Sequence, residues 1–166
     1  MNAADVNAAM AGHDAVVVAL GNSQNPFALL LGARRTTPAN VCEVGTRHII
    51  AAMRAAGIAL LVVVTAFGVG ATRSRLPLAF RLFYRTVLRE HMADKENQEA
   101  LIRSSPLDWT LVQPVALTDK PACGHWLADT DGVIRRSEIS RADVAACLVA
   151  LLASGDHGGC TVAVSG

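Results

Sequence analysis

Thr65 closes the stretch from Ile58 to Gly70, IALLVVVTAFGVG, an apolar run that ends in a hydroxyl and then in two glycines. Continuous Leu and Val without polar alternation fits a strand covered on both faces. The hydroxyl then stands where the strand surfaces, and in an open parallel sheet ligands bind beyond the carboxyl ends of the strands. Thr65, Ala66, Phe67, Gly68 and Gly70 are therefore candidates for contact with a small molecule. A hydroxyl capping a turn accounts for Thr65 equally well. Arg81, Arg85 and Arg89 form an i, i+4 stripe that a phosphate-bearing ligand or an acidic partner could use. A solvated helix face is the plainer reading, because long basic side chains lie easily over apolar surface. The interleaved Phe80, Leu82, Phe83, Val87 and Leu88 could form a partner-binding face, and Phe83, Tyr84 and Trp126 could roof a pocket. Cys42, Cys123, Cys147 and Cys160 make no CxxC pair and have no clustered histidines, so reduced thiols rather than a metal site are expected.

The elements that must position these groups are legible as an alternation. Ala3 to Ala11 is Ala-rich and is stopped by Gly12. Ala15 to Leu20, AVVVAL, reads as a buried strand. After a loop containing Pro26, Thr37-Pro38 can start a helix whose face is Gly45, Ile49, Ala52, Met53 and Ala56, closed by Gly57. The strand ending at Thr65 follows, then a polar break at Arg73 to Arg75. Leu76 to Ser104 is helical by propensity but not one straight rod, and it stops before Pro106. Trp109 to Gln113 reads as a third strand stopped by Pro114. Ala122 to Ser137 is turn-rich, with short pairings expected at His125 to Leu127 and at Val133 to Arg135. Ser140 with Asp143 predicts an N-cap for a helix faced by Val144, Cys147, Leu148, Leu151 and Leu152. Thr161 to Val164 is the fourth strand. Four buried strands joined by three helical crossovers predict an α/β fold, a parallel sheet with helices on both faces.

Composition bounds the rest. The 166 residues are 52% hydrophobic with a formal charge of +1, and the mean hydropathy is +0.35. These values fit one globular domain, 1–166, and exclude disorder. They argue neither for nucleic acid nor for an anionic membrane. No run reaches the roughly 18 to 20 apolar residues of a spanning helix. The N-terminus carries no signal-peptide pattern, so a cytoplasmic location is expected.

Five stretches, GHDAVVVALG, VGTRHIIAAMRAAGI, VVVTAFGVG, DKENQEALIRSSPLDWTLVQP and ISRADVAACLVALL, cover most of the chain. Jointly they resemble the atypical branch of the short-chain dehydrogenase/reductase superfamily, the NAD(P)-binding Rossmann proteins that include NmrA-like proteins and the flavin/biliverdin-B reductases. The resemblance implies an NAD(P)H-dependent oxidoreductase, with NADP or NAD as cofactor and a small carbonyl, quinone or flavin-like substrate. The alternatives are a non-catalytic NmrA-like ligand sensor or interaction module, and a truncated fragment of a complete reductase. It implies that Ala19, Leu20 and Gly21 line the cofactor edge after their strand, with Thr65, Ala66 and Phe67 after theirs, and that Pro114 and Val115 flank the nicotinamide. Thr65 takes the place of the active-site hydroxyl, and Lys95 that of the lysine bonding the nicotinamide ribose. His91, four residues earlier, stands where the superfamily's tyrosine does. A histidine there can exchange protons near neutral pH, although His91 and Lys95 also fit a solvated helix face.

Family members open with a strand, a Gly-rich turn and a helix whose N-terminus holds the cofactor pyrophosphate. That segment, about two βα units or roughly 60 residues, has no counterpart before Gly12. Cofactor binding by this chain alone is accordingly expected to be weak or absent. Gly68-Val-Gly70-Ala-Thr-Arg73 is not a substitute for G-x-G-x-x-G, because Arg73 stands where a small residue is needed and Pro77 interrupts the following helix. Without its usual neighbour, the strand 15–20 becomes a sheet edge with Val16, Val17 and Val18 uncovered, so a homo-oligomer covering that edge is expected.

Overall fold

The computed structural model describes residues 2–22, 24–155 and 158–166. In chain order the elements are α1 (Ala3–Ala8), β1 (Ala15–Val18), α2 (Pro26–Leu30), α3 (Val41–Ala56), β2 (Leu60–Val64), a 3-10 turn (Gly70–Arg75), α4 (Leu78–Thr86), α5 (Arg89–Arg103), β3 (Asp108–Pro114), β4 (Ala116–Thr118), β5 (Leu127–Asp129), β6 (Glu138–Ser140), α6 (Arg141–Ser154) and β7 (Cys160–Ser165). One sheet runs β1-β2-β3-β7-β5, and β4 pairs with β6 in a small second sheet. β1, β2, β3 and β7 are mutually parallel, while β5 joins β7 antiparallel.

Alternate residues of the strands face opposite layers. Leu61, Val63 and Leu111 pack against Ile49 and Met53 of α3, Ile102 of α5, and Val6 and Met10. Val62, Val112, Val162 and Val164 meet Val144 and Cys147 of α6, with Phe67 and Leu76. Helices therefore cover both faces, which is why these strands read as unbroken apolar runs. Each fully buried Val or Leu contributes roughly 1.5–3 kcal/mol, so this double layer carries most of the favourable free energy.

Several boundaries differ from the sequence reading. β1 stops at Val18, so Ala19 and Leu20 lie beyond it. Of the three valines expected to be uncovered there, Val18 is buried and Val16 packs against the cluster that includes Val6 and Met10; only Val17 is open, at 43% exposure. Val17 is in register with Val62, on the face away from that cluster. A short helix, α2, occupies the expected loop around Pro26. Thr37 does not cap α3, which begins after Asn40 with no side-chain cap of its own; a residue of α5 supplies the cap instead. Pro114 ends β3 from within, paired with Val164. It is tolerated at that last position because the next N–H, from Val115, bonds Val164 O at 3.1 Å. Of the short pairings expected at 125–127 and 133–135, the first falls at Leu127 on β5, which joins β7, while 133–135 forms no strand and the next pairing is β6 on β4. The break within Leu76 to Ser104 falls at Val87 and Leu88, between α4 and α5. Ser140 caps α6 as expected, accepting the N–H of Asp143 at 2.9 Å, and Gly155 ends it with φ 68°.

Candidate functional site

α5 ties the site together, and the segment that does so, Asp94 to Glu99, is the most polar in the chain. Asp94, Gln98 and Glu99 are buried. Their partners lie on α3, the loop after β2, β3 and α5 itself, so the burial is compensated. Asp94 accepts the N–H groups of Cys42 and Glu43, each at 2.9 Å, and so caps α3 from outside. Gln98 donates to Thr46 Oγ1 at 2.9 Å. Lys95 Nζ donates to Leu20 O at 2.6 Å, Val64 O at 3.1 Å and Gln98 Oε1 at 3.2 Å. An ammonium has three donors, and all three are used. Burial lowers the pKa of Lys95, opposed by Cys42, Asp94 and Glu99. Burial likewise raises the Cys42 thiol to about 11, with Lys95 pulling the other way.

A second group surrounds Glu99. The Thr65 hydroxyl donates to Glu99 Oε1 at 2.7 Å, as does Gln113 Nε2 at 2.7 Å. Arg103 holds the other oxygen at 3.0 Å. Gln113 also donates to Val69 O at 3.0 Å and accepts from Thr72 Oγ1 at 2.7 Å, and Thr72 in turn accepts the Gly68 N–H at 2.7 Å. The loop after β2 is thereby fixed to β3 and α5. Phe67 N–H to Pro114 O, at 2.9 Å, completes the attachment.

Two cavities open beside this frame. The larger, of about 590 Å³, starts at Gly68 beyond the carboxyl end of β2 and runs between α4 and α5, lined by Leu76, Tyr84, Met92 and Ala93 together with Arg73, Arg81, Arg85, Arg89 and Glu96. Tyr84 donates its hydroxyl to Phe67 O at 3.3 Å, and burial raises its pKa. The smaller, of about 240 Å³, lies between α2 and the α4–α5 junction and holds His91 beside Pro26, Leu29 and Thr86.

The structure thus brings Leu20, Thr65 and Lys95 to the carboxyl ends of β1 and β2, with Phe67, Pro114 and Val115 at the ends of β2 and β3. Ala19 and Gly21 are exposed and Ala66 is half-buried. His91 does not join them: it lines the separate smaller cavity, where its Nε2 is buried with no hydrogen-bond partner among the described residues. Sequence reasoning missed Asp94, Gln98, Glu99, Thr72 and Gln113. A signal existed for two of them. Gln113 is the polar residue in the otherwise apolar LVQP, and Gln98 precedes the fully buried Ile102 by four residues on one helix face.

A nicotinamide dinucleotide fits part of this arrangement. Among the described residues nothing lies within 4 Å of a Cβ placed on Gly21, so a ligand can approach that backbone, and the neighbouring Asn22 Nδ2 is a buried donor with no partner among them. The 68–73 turn does not fit a pyrophosphate. A Cβ on Gly68 would meet Leu76 at 2.4 Å, and one on Gly70 would meet Glu99 at 2.4 Å, so the chain's own side chains fill that turn. It also leads into a 3-10 turn, not a helix N-terminus. Among the described residues no group of three or more His, Cys, Asp or Glu is placed to hold a metal. No described helix is long and apolar enough to cross a membrane.

A largely parallel sheet with helices on both faces and a cleft beyond the strands' carboxyl ends defines a Rossmann-type nucleotide-binding protein. A family model described as NAD(P)H-binding matches residues 1–155, and the chain belongs to that family. Among solved structures, it resembles a short-chain dehydrogenase/reductase from Veillonella parvula in complex with NADP, with TM-score 0.77 and 14% identity over 100% of this chain and 69% of that one. It also resembles ChuY, an anaerobilin reductase from Escherichia coli, with TM-score 0.73 and 20% identity over 99% and 70%. The oxidoreductase ylbE from Lactococcus lactis gives TM-score 0.74 and 18% identity over 99% and 67%. At these identities the likeness speaks for the fold alone.

Proposed function

We propose that the chain is an NAD(P)H-dependent reductase of the atypical short-chain type, acting on a small carbonyl, quinone or flavin-like substrate. The observation that carries this reading is the 590 Å³ cleft opening at Gly68, beyond the end of β2, where a Rossmann protein presents its ligands. The cofactor supplies the hydride. The chain's residues would receive its nicotinamide end at Leu20, Gly21 and Asn22, with Thr65 and Lys95 holding the strand ends in place. Resemblance to reductases, including one complexed with NADP and one named for anaerobilin, supports the same reading.

A second reading, an NmrA-like ligand sensor, is favoured by one specific observation. Thr65 and Lys95 are engaged within the protein, and His91 lies in a different cavity, so the three do not face one space. Titrating the 166-residue chain with NADPH and following its oxidation with a panel of quinones, carbonyls and flavins separates the two. Binding in the high micromolar to millimolar range is expected, about −4 to −5 kcal/mol, since the 68–73 turn offers no pyrophosphate cradle. Turnover supports the reductase; binding without turnover on any panel member supports the sensor.

We further infer that a second copy of the chain pairs along β1, at the end of the sheet order. Light scattering showing a strict monomer at all concentrations overturns this.

A further inference from the structure

We propose that the cleft between α4 and α5 is a binding site for a small organic anion, a carboxylate or phosphate carried on an apolar body, and that this anion is the substrate. The second half of the statement rests on the reductase reading above; the first does not. Arg73, Arg81, Arg85 and Arg89 all line the cleft, and Glu96 is the acid among its lining residues. Glu96 already pairs with Arg73 at 2.9 Å. The guanidinium groups of Arg81, Arg85 and Arg89 have no ion pair or side-chain hydrogen bond among the described residues. Three like charges lining one concavity, with its acid already paired to Arg73, repel one another, and a bound anion relieves that repulsion.

The three arginines are exposed, but they line one concavity and not only open surface. On one straight helix, residues 81, 85 and 89 would run about 12 Å along the axis, at 1.5 Å per residue. Here α4 ends at Thr86 and α5 starts at Arg89, and Arg81, Arg85 and Arg89, on either side of that break, line one cleft. Guanidinium groups suit this task, because their forked donors match carboxylate and phosphate oxygens in pairs. Leu76, Tyr84 and Met92 supply the wall on which an apolar body can lie. The volume falls within the roughly 300–1,000 Å³ usual for small-molecule sites. Gly68 lines the same cleft, so a ligand held there lies toward the end of β2.

The test uses two fluorescent probes on the full chain, 1-anilinonaphthalene-8-sulfonate and its uncharged analogue N-phenyl-1-naphthylamine. The sulfonate should bind, and more weakly as salt rises. Arg85→Gln and Arg89→Gln should each weaken it about tenfold, the loss expected for a charge-assisted hydrogen bond, with Arg85→Lys recovering part of the loss. The uncharged probe should be unaffected by the same changes. Equal loss of both probes, or no loss of the sulfonate in the Arg81, Arg85, Arg89 triple glutamine variant, overturns the anion site. Displacement of the sulfonate by NADPH, with NADPH binding weakened by the same substitutions, overturns it as a substrate site and assigns the cleft to cofactor phosphate. Failure of NADPH to bind while arginine-dependent sulfonate binding persists removes the reductase reading and leaves the anion site standing.

Discussion

The Thr65 hydroxyl donates to Glu99 Oε1 at 2.7 Å, so the hydroxyl at the end of β2 is aimed into the protein at a carboxylate that is 1% exposed. A hydroxyl has one hydrogen to give. In this arrangement Thr65 can still accept a hydrogen bond, but it donates to a substrate only by releasing Glu99. Thr65→Val should therefore cost about 1–2 kcal/mol of stability through the lost bond to a buried charge, while Thr65→Ser should fall within about 0.5 kcal/mol of wild type. Urea denaturation of both variants measures this. If the chain turns over NADPH, a loss of kcat in Thr65→Val beyond its stability loss, restored in Thr65→Ser, would give the hydroxyl a second role at the substrate.

Lys95 clamps the carboxyl ends of β1 and β2 through Leu20 O and Val64 O. Lys95→Met leaves both carbonyls without that partner, at an expected cost of about 1–3 kcal/mol. The same variant should raise the Cys42 pKa further above about 11, because Lys95 is the positive charge that favours the thiolate. Alkylation of Cys42 in alkaline buffer should then be slower in Lys95→Met than in wild type, as read by mass spectrometry. Faster alkylation would mean that the clamp also keeps reagent out.

Gly70 sits at φ +50°, and a Cβ there would stand 2.4 Å from Glu99 Oε2. Glu99 cannot swing aside freely, because Thr65, Gln113 and Arg103 all hold it. Gly70→Ala should destabilise by about 1–2 kcal/mol from the backbone alone, and by more once Glu99 is displaced. Gly21→Ala, which meets nothing within 4 Å, is the control and should stay within about 0.5 kcal/mol. Equal thermal midpoints for the two variants would contradict the packing at Gly70.

Asp143 anchors the turn-rich segment to the start of α6. Ser140 Oγ donates to it at 2.7 Å, and the N–H groups of Cys123 and Gly124 follow at 3.1 and 3.0 Å. These bonds, with Ser140 the largest contributor, hold its pKa at about 2 against an ordinary 3.8. A carboxylate depressed in the folded state stabilises above its unfolded pKa, and that stability is lost as pH falls through the folded value. Wild type should thus lose stability between pH 3.8 and about 2, and Asp143→Asn should lack that part of the loss while being less stable at neutral pH. Urea midpoints at both ends of the window check the sign.

The sequence by itself determined the layers and the order of the fold. Strands covered on both faces are mostly apolar, so AVVV, LLVVV, DWTLVQP and CTVAVS stand out from the helices between them, and Ser140 with Asp143 marks a helix start through a contact three residues long. Thr65 and Pro114 were legible at strand ends for the same reason, whereas the strand read as 15–20 stops at Val18. What only the tertiary structure decided is where the polar residues of α5 point. DKENQE has the composition of a wet helix face, yet Asp94 finds the N-terminus of α3, 51 and 52 residues away in sequence, and Glu99 finds Thr65 at a separation of 34. A buried charge is tolerable only when its partners are already in place, and those partners come from other elements, which no local pattern encodes. The arginines followed the same logic: their spacing was plain in the sequence, but the cleft that they line, on either side of the break at Val87 and Leu88, comes from how α4 and α5 pack.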